Sequence, residues 1–162
     1  MDMRLSDRKA EMLDKVATMM RDRLSAAKAE PAERFMRTFY ANVAPDDIID
    51  EEVENLFGAC LSLWSFAQER TPGEPKFRAF NPSYEATGWK SVHTVVEIVN
   101  DDMPFLVDSV TAELNRRDLT VHLVIHPIAF VKRGAAGKLG ELRDNRSDDD
   151  TIARESMMHV EI

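Results

Sequence analysis

Residues 89–131, WKSVHTVVEIVNDDMPFLVDSVTAELNRRDLTVHLVIHPIAFV, decide the fold. Within 89–100 the pattern alternates. Val92, Thr94, Val96 and Ile98 fall on one face, His93, Val95, Glu97 and Val99 on the other. That two-residue period predicts a strand. NDDMPF then interrupts it, and over 105–117 the apolar residues Leu106, Val107, Val110 and Leu114 recur at helical steps. One apolar stripe of this kind predicts a helix packed on a sheet. Residues 119–132 return to β-branched side chains, a second strand in which Pro127 marks an edge position or a bulge.

Toward the C-terminus, Gly134, Gly137 and Gly140 predict a hairpin loop, followed by an acidic polar stretch over 144–150. Met158, Val160 and Ile162 alternate again, so a third strand begins there. A βαββ run opens the ferredoxin-like βαββαβ arrangement, whose strand order is 4-1-3-2. Its last helix and strand are missing from this sequence. The reading therefore expects a truncated piece, with the edge of the first strand open to pairing and apolar sheet surface uncovered.

Toward the N-terminus the period is helical. Met12, Leu13, Val16, Met19, Met20 and Leu24 make an amphipathic helix, with Ser6 expected as its cap. Pro31 suits the first turn of a second helix carrying Phe35, Met36, Phe39 and Tyr40. A third, running from after Asp47 to about residue 70, is apolar around most of its circumference and so must be wrapped by neighbours. Pro72, Gly73, Pro75, Pro82 and Gly88 break the pattern that follows. The expected organisation is a helical subdomain at 1–70, a linker at 71–88 and a sheet domain at 89–162. The fold class is α+β: an N-terminal helical subdomain followed by an incomplete ferredoxin-like βαββ sheet domain.

The formal net charge of −8 disfavours nucleic acid and anionic membrane as partners. Cys60 is the single cysteine and lies in an apolar run, which predicts a buried thiol in a reducing, cytoplasmic setting. The opening MDMRLSDRKAEMLDKV is charged throughout, without the apolar core of a signal peptide or a bilayer span.

Residues able to do chemistry are few. His122 and His126, four apart on a strand, would stand roughly 13 Å apart, too far to share an ion. His93 and His159 could approach across the sheet, but without convergent thiolates or carboxylates they predict no metal site. No Walker sequence, GxGxxG fingerprint or GxSxG elbow occurs. DNRSDDD lacks the glycine and terminal glutamate of an EF-hand loop. Asp101, Asp102 and Asp108 are expected to cap the central helix. The one candidate ligand-binding corner is Asp101, Asp102, Met103, Pro104 and Phe105, where a helix N-terminus offers free N–H groups to an anion or amino acid. No catalytic, cofactor-binding or metal-ligating residue is expected.

Residues 89–131, and within them VVEIVNDDMPFLVDSV and LVIHP, resemble the N-terminal region of the large bacterial NAD-dependent glutamate dehydrogenases. FYANVAPDDI and FRAFNP resemble the same family's helical opening. The resemblance implies a longer parent enzyme that converts L-glutamate, NAD and water to 2-oxoglutarate, ammonium and NADH, with its NAD site and catalytic residues downstream. It also implies that the sheet domain is of ACT type, a module that elsewhere binds amino acids and pairs edge to edge. The usual ligand turn of that module has glycine shortly after its aspartate and proline, where this sequence has Phe105. The roles implied are regulation or assembly, with the remainder of the parent chain as partner and homo-oligomer contacts through the sheet edge or the helices. An independent amino-acid sensor or interaction adaptor is the alternative.

Overall fold

A computed structural model describes residues 4–145 and 149–162. Three helices come first: α1 (Leu5–Arg23), α2 (Ala26–Tyr40) and, after a 3₁₀ turn at Pro45–Asp47, α3 (Val53–Phe66). A strand β1 (Lys76–Phe80) and a one-turn helix α4 (Tyr84–Thr87) lead into β2 (Val95–Asp101) and the helix α5 (Leu106–Arg116). The strands β3 (Leu123–Ile125), β4 (Ile128–Arg133), β5 (Leu139–Arg143) and β6 (Ala153–Glu161) complete the fold. It is α+β, helices followed by one antiparallel sheet.

The sheet order is β1-β2-β6-β4-β5, with β3 also on β6 ahead of β4. Since β2 and β3 each run antiparallel to β6, they are parallel to each other with β6 inserted between. That is the split βαβ unit the sequence pattern predicts. The expected open edge on β2 is corrected: β1 pairs along it from Lys76↔Val99 to Phe80↔Val95 and occupies the place of a fourth strand. Residues 71–88, read as a linker, thus supply a strand. The hairpin loop is likewise corrected, because Gly140 lies within β5. The long second strand is divided at His126-Pro127 into β3 and β4.

Helices and sheet share one core. Val16 and Met20 of α1, Phe35, Met36 and Phe39 of α2, and Leu63 of α3 are buried with Val99, Ile125, Ala129, Val131 and Met157 of the sheet. Each such large side chain contributes about 1.5–3 kcal/mol on burial. The Phe35 and Trp64 rings stack at 4.9 Å. The α3 stripe that must be wrapped is therefore wrapped by α1, α2 and β6. Right-handed crossover from β2 to β3 puts α5 on the opposite face, where Met158 and Val160 are buried. No residue of α5 is itself buried, so its stripe is only half covered.

Three helix boundaries differ from expectation, the first being α3, which runs Val53–Phe66 rather than from after Asp47 to about residue 70. The N-cap of α1 is Arg4 rather than Ser6, with no side-chain cap bond. Pro31 lies inside α2, which starts a full turn earlier after Ser25. Among the described residues no helix is long and apolar enough to cross a membrane.

Candidate functional site

The predicted corner at 101–105 is formed, but its carboxylates are already engaged. An oxygen of Asp101 accepts a hydrogen bond from Arg70 Nη2 at 2.6 Å, and Asp102 pairs with Arg154 Nε at 2.9 Å. Neither caps α5, which corrects the capping expectation; Asp108 does stand in its first turn. The N-cap is Phe105, held at φ 63° in the left-handed region. A non-glycine residue there carries backbone strain. Its ring is 77% exposed and Met103 is 47% exposed, so the phenyl group turns into solvent.

Behind Asp101 lies a buried ionic network. Arg133 Nε and Nη2 each donate to Glu155 at 2.9 Å, while Arg70 Nη2 stands 3.1 Å from the same carboxylate. Arg133 also donates to the carbonyls of Ala67 and Gly137. The network thereby locks the β4–β5 hairpin to the segment leaving α3. Arg70 N–H donates to Gly137 O, and Leu139 N–H to Gln68 O. Gly137 is required there: at φ +81° a Cβ would lie 2.2 Å from Arg70 O. Arg70 Nε alone stays buried without a partner among the described residues, and a buried ion network of this kind organises structure rather than chemistry.

His93 and His159 do approach one another, lining one cavity together, while His122 lies just ahead of β3 rather than on it. His93 stacks on His122, ring centroids 4.0 Å apart. His159 instead contacts Phe39 edge-on and hydrogen-bonds Glu161 through Nε2 at 3.0 Å. His126 Nε2 meets Ser156 Oγ at 2.7 Å, and partial burial pushes the His126 pKa down. Among the described residues no three His, Cys, Asp or Glu side chains converge on a metal position. The DNRSDDD stretch lies partly outside the described residues. Cys60 is fully buried, and burial pushes its thiol pKa well up, away from nucleophilic character.

What the sequence reading did not find is a cavity of about 360 Å³ between the stretch from the 3₁₀ turn to the start of α3, the 89–93 segment, the 122–125 segment and the end of β6. It shares no residue with the 101–105 corner. His159 and Glu161 line its inner wall, Asp46, Asp47 and Glu51 its rim. Ser91 Oγ donates to Glu161 at 3.0 Å. Burial opposes ionisation of Glu161, yet the hydrogen bond and charge of His159, with Ser91, carry its pKa below the usual glutamate value. No pattern within one segment could have announced this cavity, because its walls come from four segments distant in sequence.

Comparison with known proteins completes the description. The family model described as "Glutamate dehydrogenase, ACT1 domain" matches residues 35–162. The chain is similar to an NAD-specific glutamate dehydrogenase of Halomonas elongata, at 38% identity over 152 residues and 94% of this chain. A protein of the same description from Pseudomonas aeruginosa is 33% identical over 154 residues, 95% of this chain. The chain spans 9% of the first relative's length and 10% of the second's. No solved structure gives a significant match.

Proposed function

From the premise that this chain belongs to the glutamate dehydrogenase ACT1 domain family, we propose that it is the N-terminal regulatory and assembly region of an NAD-dependent glutamate dehydrogenase. The parent would oxidatively deaminate L-glutamate to 2-oxoglutarate and ammonium, reducing NAD. The observation that carries the reading is the similarity along 94% of this chain to proteins roughly ten times its length. A region so small a fraction of its relatives serves a reaction centred elsewhere.

NAD itself does not fit the one long strand-to-helix turn described here. That turn has no glycine, carries Asp101 and Asp102, and begins its helix on a strained phenylalanine. A pyrophosphate needs bare N–H groups and close backbone approach; two carboxylates at that spot repel it. We assign the dinucleotide to another part of the parent.

The assembly role draws on the sheet face beside α5. Phe77 is 71% exposed on β1, opposite Ile98, while Val96 and Ile98 remain half-buried. An apolar surface of this kind suits contact with the remainder of the parent chain or with a second copy. The experiment is Phe77→Asp in the full natural chain, examined by light scattering and glutamate kinetics. The expected result is altered mass or subunit packing with KM for glutamate and NAD unchanged. Unchanged assembly together with a raised KM would contradict the reading.

A further inference from the structure

The sheet is closed on the side of α1, α2 and α3, where Val99, Val131 and Met157 are buried, and only partly closed on the side of α5. Residues directly opposite one another on paired strands share a face. The α5 side therefore carries Phe77 and Ala79 of β1, Val96 and Ile98 of β2, and Met158 and Val160 of β6. Exposure rises outward across these three strands. Met158 and Val160 are 0% and 1% exposed, Val96 and Ile98 are half-buried, Ala79 is exposed and Phe77 is 71% exposed. Helix α5 thus lies over β6, and β2, an inner strand, keeps a half-open apolar face.

The opposite flank of this face is charged. Lys132 of β4 stands opposite Glu141 of β5, and Phe130 opposite the Arg143 that pairs with Glu141 at 2.9 Å. The apolar opening is the strip over β2 and β1, and its dimensions are those of one helix. Two strands spaced about 4.8 Å apart make a strip about 10 Å wide, the diameter of an α-helix with its side chains. The seven residues of β2, at about 3.3 Å each, match a helix of about 15 residues. A strand has no place there, since β1 already holds the position beside β2. The flank of α5 is open as well, none of its residues being buried.

We propose that the first helix after β6 in the parent chain lies in this strip, over Phe77, Ala79, Val96 and Ile98, beside α5 and antiparallel to it. The inference rests on the reading above, in which the parent runs on past this region; its relatives are roughly ten times as long. Strand direction names the occupant. Ile162 and Thr94 exchange both backbone hydrogen bonds at 2.9 Å, so β6 delivers the polypeptide to the Val95 end of β2, beside the strip. A helix returning from there runs toward the Asp101 end, whereas α5 starts at that end and runs back.

The test is photocrosslinking in the full natural chain carrying Phe77→p-benzoylphenylalanine and, in a second protein, Ala79→p-benzoylphenylalanine, so that a folding defect in one leaves the other to decide. Unlabelled and isotope-labelled protein are mixed, and mass spectrometry separates bonds within one chain from bonds between copies. The expected bonds lie within one chain, in about the first 30 residues after Ile162. Ala79 should reach a point about one helical turn ahead of the point Phe77 reaches. Bonds to another copy, bonds to a distant part of the parent, or no bond from either position overturn the proposal, as does the reverse order of the two contacts. Glutamate-dependent NADH formation by the same protein without those bonds sinks the helix and leaves the dehydrogenase reading standing.

Discussion

Arg133 grips Glu155 through two parallel hydrogen bonds of 2.9 Å, with 5% and 1% of the two side chains exposed. Arg70 reaches the same carboxylate at 3.1 Å and is itself 2% exposed in its side chain. Glu155 is therefore shared by two buried guanidinium groups, with Asp101 supplying the second negative charge through Arg70. Removing it leaves uncompensated charge in the interior, which typically costs about 3–5 kcal/mol. Glu155→Ala is expected to lower stability by that amount in urea denaturation; a loss under about 1 kcal/mol would mean that the arginines find other partners or water.

Gly58 meets the side chain of Trp89, and a Cβ built on it would stand 2.3 Å from Trp89 Cγ. Any larger residue must push the indole out of its buried place beside Phe80 and His159. Gly58→Val is expected to cost about 1–3 kcal/mol and, in a Trp64→Phe background, to shift indole emission to the red. Unchanged emission would contradict the packing.

Acid should weaken the fold through His126 before it acts on the carboxylates. Burial holds the His126 pKa below its ordinary value, so the unfolded chain binds that proton more readily than the folded one. The associated stability is full above about pH 6.5, the unfolded value, and declines as pH falls toward the lower folded value. Glu161, whose folded pKa is depressed, adds a loss in the same direction at lower pH. Melting temperature should fall between about pH 7.5 and about pH 5, and His126→Asn should flatten that part of the profile. An unaltered slope would reject the assignment.

The sheet and the helix lying on it should respond unequally to charge. Met157 and Met158 are both fully buried, while Val110 and Leu114 on α5 are only half-buried. Met158→Asp is expected to abolish the cooperative melt. Val110→Asp should cost no more than about 2 kcal/mol, because its carboxylate can turn to water. Equal effects would place α5 in a closed core.

Alternation in 95–101 and the stripe in 106–116 made β2, α5 and their split βαβ pairing readable before any coordinates. The neighbours were harder for physical reasons. In β1 three of five residues face water, so KFRAF shows no apolar alternation, and its place is held instead by Lys76 Nζ on the Phe66 and Glu69 carbonyls and by Arg78 on Glu97. In β5 Gly140 mimics a loop residue, while the constraint that makes a strand is the Arg70–Gly137 and Gln68–Leu139 contact. The 101–105 corner was legible as a turn, but the arginines that occupy its carboxylates, Arg70 and Arg154, are distant in sequence. The cavity at His159 and Glu161 was beyond reach for the same reason: long-range pairing assembles it.

The most direct measurement is glutamate-dependent NADH formation by the full natural chain. The account predicts steady NADH production that requires L-glutamate and releases ammonium in equal amount. No glutamate-dependent NADH from a folded, full-length protein would contradict it.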